Sequence, residues 1–179
     1  MSRSTLTNLA AIRKKYPATE RCHSNKSDRL LGARDAVEYV IAVDVATGKE
    51  KWSAEAGPLL TNKWGGGPRS TPTVVGDRVF AMSGQGHLVC LMAASGERVW
   101  EVSMKDLGGA VPTWGYTESP LVTGDLVLCT PGGKQGTLAA INAATGDVKW
   151  RSTSWDDPAQ YASAITAEIS GTTQASSSP

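Results

Sequence analysis

VIAVDVATGKEKW from Val40 to Trp52, LVCLMAASGERVW from Leu88 to Trp100 and LAAINAATGDVKW from Leu138 to Trp150 are three versions of one phrase. Their glycines, Gly48, Gly96 and Gly146, lie 48 and 50 residues apart. Self-similarity at a period of about 40 to 50 residues marks propeller blades, so the chain is read as repeats before anything else. Each phrase opens with an apolar run of strand length (Ile41 and Val43; Leu88 to Leu91; Leu138, Ala140 and Ile141), too short for a typical helix. Thr-Gly-Lys, Ser-Gly-Glu and Thr-Gly-Asp then set glycine where a tight hairpin needs positive φ. A second strand ends on Trp52, Trp100 or Trp150. One tryptophan at a fixed distance from each turn glycine reads as a docking device between neighbouring units, because a large ring buries more apolar area than any other side chain.

The unit extends upstream of two of the phrases. STPTVVGDRVFAMSGQGH runs from Ser70 to His87 and ESPLVTGDLVLCTPGGKQG from Glu118 to Gly136, with Pro72 and Pro120 again 48 residues apart. Ser/Thr-Pro opens a strand, Gly-Asp turns it, and a second apolar strand ends in a glycine hairpin. A full unit is therefore four short strands in hairpin succession. The middle strands, Val79 to Met82 and Leu88 to Met92, are apolar at successive positions, as expected when both faces of a small sheet are covered by neighbouring sheets.

Length and charge bound the reading from outside. A chain of 179 residues is sized for one domain. Its mean hydropathy of −0.22 suits a globular protein, and no run approaches the roughly 18 apolar residues of a membrane-spanning helix. Residues 1–34 hold eight Lys and Arg against Glu20 and Asp28, while the rest of the chain is mildly acidic. That asymmetry places a boundary near residue 37. Residues 1–37 read as a basic, non-repeat leader, expected to be disordered, in which Leu6, Leu9, Ile12 and Tyr16 would line a short helix ended by Pro17. A targeting segment or a nucleic-acid arm are the other readings of such a stretch, and it lacks the apolar core of a signal peptide. Repeats fill residues 38–171, and residues 172–179 form a polar tail. Cys22, Cys90 and Cys129 are odd in number and unrelated in spacing, so they imply neither zinc nor a disulfide framework.

ATGKEKW, ASGERVW and ATGDVKW, each following a strand and set between Ser/Thr-Pro strands and Gly-Asp turns, resemble the repeats of pyrroloquinoline-quinone-type (PQQ-like) β-propellers. The resemblance covers residues 38–171 and implies an all-β fold of four-stranded antiparallel blades. It implies that Trp52, Trp100 and Trp150 dock between blades, with Gly48, Gly96 and Gly146 in the turns. About two full blades and parts of two more are legible, with Tyr161 to Ile169 as the first strand of a fourth. A propeller closes with at least about 4 blades, so an incomplete ring is expected: a fragment of a longer bacterial propeller, or a chain that finds missing blades by association.

The family includes quinoprotein alcohol dehydrogenases and non-enzymatic scaffolds, among them the propeller lipoprotein of outer-membrane barrel assembly. Fold alone does not choose between them. Trp64, Arg69, Trp114, Tyr116 and Glu118 stand at equivalent places before two innermost strands and are the candidate ligand-binding residues, gathered at one mouth of the channel. The alternative is inter-blade packing with an Arg69–Glu118 ion pair. The resemblance to quinone enzymes would require vicinal cysteines, a tryptophan under the cofactor and Glu, Asn and Asp around calcium. No vicinal cysteines exist, and Asn142 stands where Asp44 stands in the first phrase. GGKQGT from Gly132 to Thr137 lacks phosphate-loop spacing, and His87 has no partnering ligand in sequence and reads as a turn-edge residue.

No catalytic residues and no metal ligands are assigned. The expectation is a non-catalytic module that binds a protein or carbohydrate partner, not nucleic acid. The second reading is part of a quinoprotein oxidoreductase, and pyrroloquinoline quinone with calcium enters as cofactor only there. By resemblance the compartment is periplasmic or secreted.

Overall fold

A computed structural model describes residues 20–24, 27–169 and 172–176. Four sheets follow one another along the chain. The first contains β1 (Glu20–Ser24), β2 (Ser27–Arg34), β3 (Val37–Asp44) and β4 (Glu50–Pro58) in sequential order. The second contains β5 (Thr73–Val75), β6 (Arg78–Met82), β7 (His87–Met92) and β8 (Arg98–Ser103), and the third β9 (Leu121–Thr123), β10 (Leu126–Cys129), β11 (Ala139–Asn142) and β12 (Val148–Arg151). A two-stranded sheet of β13 (Ile165–Ile169) and β14 (Thr172–Ser176) completes the series. Every pairing is antiparallel.

The array is propeller-like and does not close into a ring. The first sheet meets the second through β4 against β7 and β1 against β5, and the second meets the third through β5 against β9. Val79, Ala81, Val89 and Leu91 of the second sheet pack on Leu31, Val40 and Trp52 of the first. Its other face, Phe80, Met82, Leu88, Cys90 and Trp100, packs on Val127, Cys129, Ala139 and Ile141 of the third. Neighbouring residues of β6 and β7 thus serve opposite faces, which is why these strands are apolar without alternation. No helix among the described residues is long and apolar enough to cross a membrane.

The repeated phrase folds alike in all three units. Gly48, Gly96 and Gly146 take φ of 67, 77 and 82°, and each donates its amide to the residue four positions back, Asp44, Met92 or Asn142, at 2.7 to 2.9 Å. A register shift then follows at the same place, between Ala42 and Val43, Cys90 and Leu91, or Ala140 and Ile141. Trp52, Trp100 and Trp150 accordingly pair with Ala42, Cys90 and Ala140.

The first unit is larger than its sequence showed. Residues 20–34, expected within a disordered leader, supply β1 and β2, so the first sheet has four strands rather than two. The strand signal was hidden by polar residues that the fold buries: Asp28 and Arg29 are 3% and 6% exposed. The Arg29 guanidinium donates to the Ala93 carbonyl at 2.6 Å and lies 5.3 Å from the Trp52 ring centre. At the other end Thr172–Ser176, expected in the polar tail, pairs as β14. The helix expected over Leu6 to Tyr16 lies outside the described residues.

Candidate binding face

Antiparallel succession places the connection between consecutive sheets and the hairpin between the second and third strands of each sheet at one end of the array. Two features tie these segments together. The Tyr116 amide donates to the Gly84 carbonyl at 2.9 Å, and the Glu38 carboxylate accepts from Leu60 at 3.0 Å and Gly84 at 2.8 Å. Glu38 is fully buried, and burial raises its carboxyl above the usual range although these amides, and Arg69 and His87 nearby, act against it. The inner strands are also stitched together: the Thr71 amide donates to Ser119 Oγ at 3.0 Å and the Ser119 amide to Ser163 Oγ at 2.9 Å. Ser163 thus stands to Ser119 as Ser119 stands to Thr71.

Each inter-sheet connection has one large aromatic ring that is exposed, while Tyr116 on the second is buried and Trp155 on the third is half-buried. Trp64, Trp114 and Tyr161 are 64%, 45% and 40% exposed and are 50 and 47 residues apart, close to the repeat period. Trp64 sits on a turn closed by the Gly65 amide on the Asn62 carbonyl, and its own amide donates to Asn62 Oδ1 at 2.9 Å. Lys63 Nζ lies 4.7 Å from its ring centre. The next connection is joined to this one through Asn62 Nδ2 and the Thr113 carbonyl, 3.4 Å apart. The Trp114 and Tyr161 rings meet at 5.1 Å with their planes tilted by 52°, and Thr117 Oγ1 fixes the Tyr161 carbonyl at 2.7 Å. Tyr161 was missed in the sequence because it is not in a Trp-Gly loop; its distance from Trp114 was the available signal.

The five residues singled out from sequence separate into two groups. Trp64 and Trp114 are on the exposed rim, with Arg69 beside them donating to the Gly65 carbonyl at 2.8 Å. Tyr116 and Glu118 are each 1% exposed. Tyr116 wedges its ring against Gly86, where a β-carbon would come within 2.5 Å of it, and its hydroxyl donates to the Pro131 carbonyl at 3.0 Å. Burial pushes its phenol pKa well up. The Glu118 carboxylate accepts the Thr130 amide at 2.7 Å and the Thr130 hydroxyl at 2.5 Å, and burial pushes its pKa up to about 7 against those bonds. No Arg69–Glu118 ion pair forms among the described residues, since each partner is committed elsewhere.

Cys90, Cys129 and Asn142 are engaged in the fold. Burial pushes the Cys90 thiol up to about 11 and the Cys129 thiol well above its ordinary value, the opposite of what a reactive thiolate needs. Asn142 Oδ1 accepts the amides of Ala144 and Thr145 at 2.9 and 3.0 Å, as Asp44 Oδ1 accepts those of Ala46 and Thr47. Both residues therefore close the same turn. Among the described residues Glu118 is thus held at both oxygens and Asn142 is taken up by its turn, so neither carboxyl nor amide oxygen is presented to a cation. What the face offers is exposed ring surface on rigid loops, suited to recognition.

Residues 36–177 match the family described as outer membrane protein assembly factor BamB. The outer membrane protein assembly factor BamB of Bordetella pertussis (strain Tohama I) is 37% identical over 115 residues, which cover 64% of this chain and 26% of that protein. The chain spans about a quarter of the length of that curated relative. Among solved structures, BamB from Moraxella catarrhalis superposes with a TM-score of 0.51 at 23% identity, over 71% of this chain and 34% of that one. A europium-containing methanol dehydrogenase superposes with a TM-score of 0.53 at 18% identity, over 74% and 25%. At such identities the two structures speak to the fold alone.

Proposed function

The chain belongs to the family of outer membrane protein assembly factor BamB, and from that premise we propose that it is a non-catalytic scaffold binding a protein partner of outer-membrane assembly in the bacterial envelope. The observation that carries this reading is the arc of Trp64, Trp114 and Tyr161, one exposed ring on each successive connection. Exposed aromatics held on a rigid frame supply contact area at low entropic cost, the pattern of interface anchors. An oxidoreductase needs groups free to exchange protons or hold a cofactor, whereas Glu118, Tyr116, Cys90 and Cys129 are buried.

A photo-reactive amino acid at position 114, in a bacterium with an outer membrane, tests the proposal. The expected product is a cross-link to a component of the outer-membrane assembly machinery, absent when the same group is placed at Val99, which is 38% exposed on β8 away from the connections. No adduct from position 114, or equal adducts from both positions, would remove the face from consideration.

A further inference from the structure

His87, a turn-edge residue in sequence, stands between two clefts in the structure. The larger, about 440 Å³, is lined by polar groups of the second unit, Gln85, His87, Ser103 and Lys105, and by apolar groups that include Pro58, Val111 and Tyr116. Its volume is in the range of ligand sites, about 300 to 1,000 Å³. None of its lining residues is acidic.

The acid of this region is turned to other work. Glu101 takes His87 Nδ1 on one oxygen at 2.6 Å and the Arg98 guanidinium on the other, and it lines the smaller cleft instead. This fixes the imidazole: with Nδ1 held by a carboxylate, Nε2 is the nitrogen left for a ligand. Among the described residues neither Nε2 of His87 nor Nζ of Lys105 has a hydrogen-bond or ion-pair partner. Ser103 is the cross-strand partner of His87, so their side chains project from the same face of the sheet. Ser103 Oγ accepts the Lys105 amide at 3.3 Å, which leaves its proton to donate. The loop Gly109, Ala110 and Val111 completes the lining, and the amides of Ala110 and Val111 donate to no described residue. Val111 is 43% exposed and carries the apolar wall outward.

We propose that this cleft binds an extended peptide segment of a partner protein in which a carboxylate side chain stands next to an apolar one. The carboxylate takes Lys105 Nζ and Ser103 Oγ, the apolar side chain lies on Pro58, Val111 and the Tyr116 ring, and the peptide backbone uses the amides of Ala110 and Val111. A charge-assisted bond to lysine is about twice as strong as a neutral one, and the apolar wall excludes peptides that bring charge alone. This assignment rests on the scaffold reading and names the chemistry of one part of the partner.

The test uses the full chain and two acetylated, amidated peptides, Leu-Asp-Val-Glu-Leu and its neutral counterpart Leu-Asn-Val-Gln-Leu, followed by backbone amide NMR. Saturable shifts at Ser103, Ala110 and Val111 are expected with the acidic peptide, at least tenfold weaker with the neutral one. Lys105→Ala should weaken acidic-peptide binding about tenfold and Lys105→Glu should abolish it. Lys49→Glu, the same charge change in the turn at the far end of the sheets, should change neither affinity nor spectrum. No saturable shift below millimolar peptide, equal affinity for both peptides, or indifference to Lys105→Glu overturns the proposal. The two readings fail separately. A missing cross-link at position 114 with intact, carboxylate-dependent peptide binding sinks the scaffold and spares the cleft, and the reverse pattern sinks the cleft alone.

Discussion

The indole of Trp52 rests on Gly96 so closely that a β-carbon there would stand 2.6 Å from the ring, while its Nε1 donates to the carbonyl of Ala93 at 3.2 Å. Trp100 repeats the relationship one unit on, with Gly146 at 3.0 Å and the Ala143 carbonyl at 3.0 Å. The glycine is therefore required twice, by its positive φ and by the ring above it, and the carbonyl three residues earlier satisfies the partly buried indole donor. Trp150 ends the third phrase, yet it is 42% exposed where Trp100 is 8%. Trp100→Ala should cost about 3 to 5 kcal/mol, the range for deleting a buried ring, and Trp150→Ala well under half of that. Chemical denaturation of the two variants compares them, and equal losses would contradict the docking account.

Gly96→Ala gives a sharper test, because the change is one methyl group. It must either push the Trp52 indole off its seat or distort a turn that needs a left-handed residue, so destabilisation of about 1 to 3 kcal/mol is expected. Gly124→Ala also places alanine at positive φ, 59°, but nothing lies within 4 Å of the added carbon. Its loss should be confined to the backbone strain, about 1 kcal/mol. The difference between the two midpoints isolates the ring contact.

The phrase containing these residues was legible in sequence because glycine, tryptophan and apolar runs each have one local cause. The first half of the first unit was not. Its strands are carried by Leu30 and Leu31 with charged neighbours, and Arg29 earns its burial from the Ala93 carbonyl and the Trp52 ring, partners 64 and 23 positions away that no local pattern shows. The binding face divided in the same way. Trp64 and Trp114 were found by their Trp-Gly loops, but Tyr116 and Glu118, only a few residues beyond, are buried by the Gly86 hairpin and Thr130. Such long-range partners decide which side chains of a loop reach solvent, and the loop sequence alone does not record them.

Because β1 and β2 belong to the first sheet, a chain beginning at Glu38 should not behave like one freed of a leader. It would lose β1 and β2 and bare one edge of β3, where Val40 and Ile41 are fully buried in the intact chain. Aggregation or loss of the cooperative unfolding transition is expected, since an exposed apolar edge strand is a template for association. A soluble monomer from size-exclusion chromatography, unfolding at an unchanged midpoint, would place the boundary back at residue 37.

The rim and the core should part company under mutation. Trp114→Ala removes a ring that is 45% exposed and touches Tyr161, so its effect on stability should stay near 1 kcal/mol or below. Under the scaffold proposal the same change should reduce partner capture at least tenfold, the loss of one interface anchor. A variant that falls in stability and capture together would mark Trp114 as a structural residue only.

Glu118 supplies a pH signature of the fold. Burial pushes its carboxyl up to about 7 in the folded chain, from an ordinary value of about 4.5, because it disfavours the charged form more than the Thr130 bonds favour it. A folded pKa above the unfolded one means that the native state holds the proton more tightly. The contribution is then complete below about 4.5 and is lost as pH rises through about 7, which at about 1.4 kcal/mol per pH unit amounts to roughly 3 kcal/mol. Glu38, raised by the same cause, acts in the same direction. Glu118→Gln cannot ionise, can still accept the Thr130 amide, and leaves the Thr130 hydroxyl free to accept from its own NH₂ group. Between pH 5 and 8 the stability of the natural chain should therefore decline relative to that of Glu118→Gln, the two curves separating most steeply between about pH 5 and 6.5 and running parallel again well above about 7. Urea unfolding at intervals across that range measures the gap, and curves parallel throughout would show that Glu118 is not the carboxyl responsible.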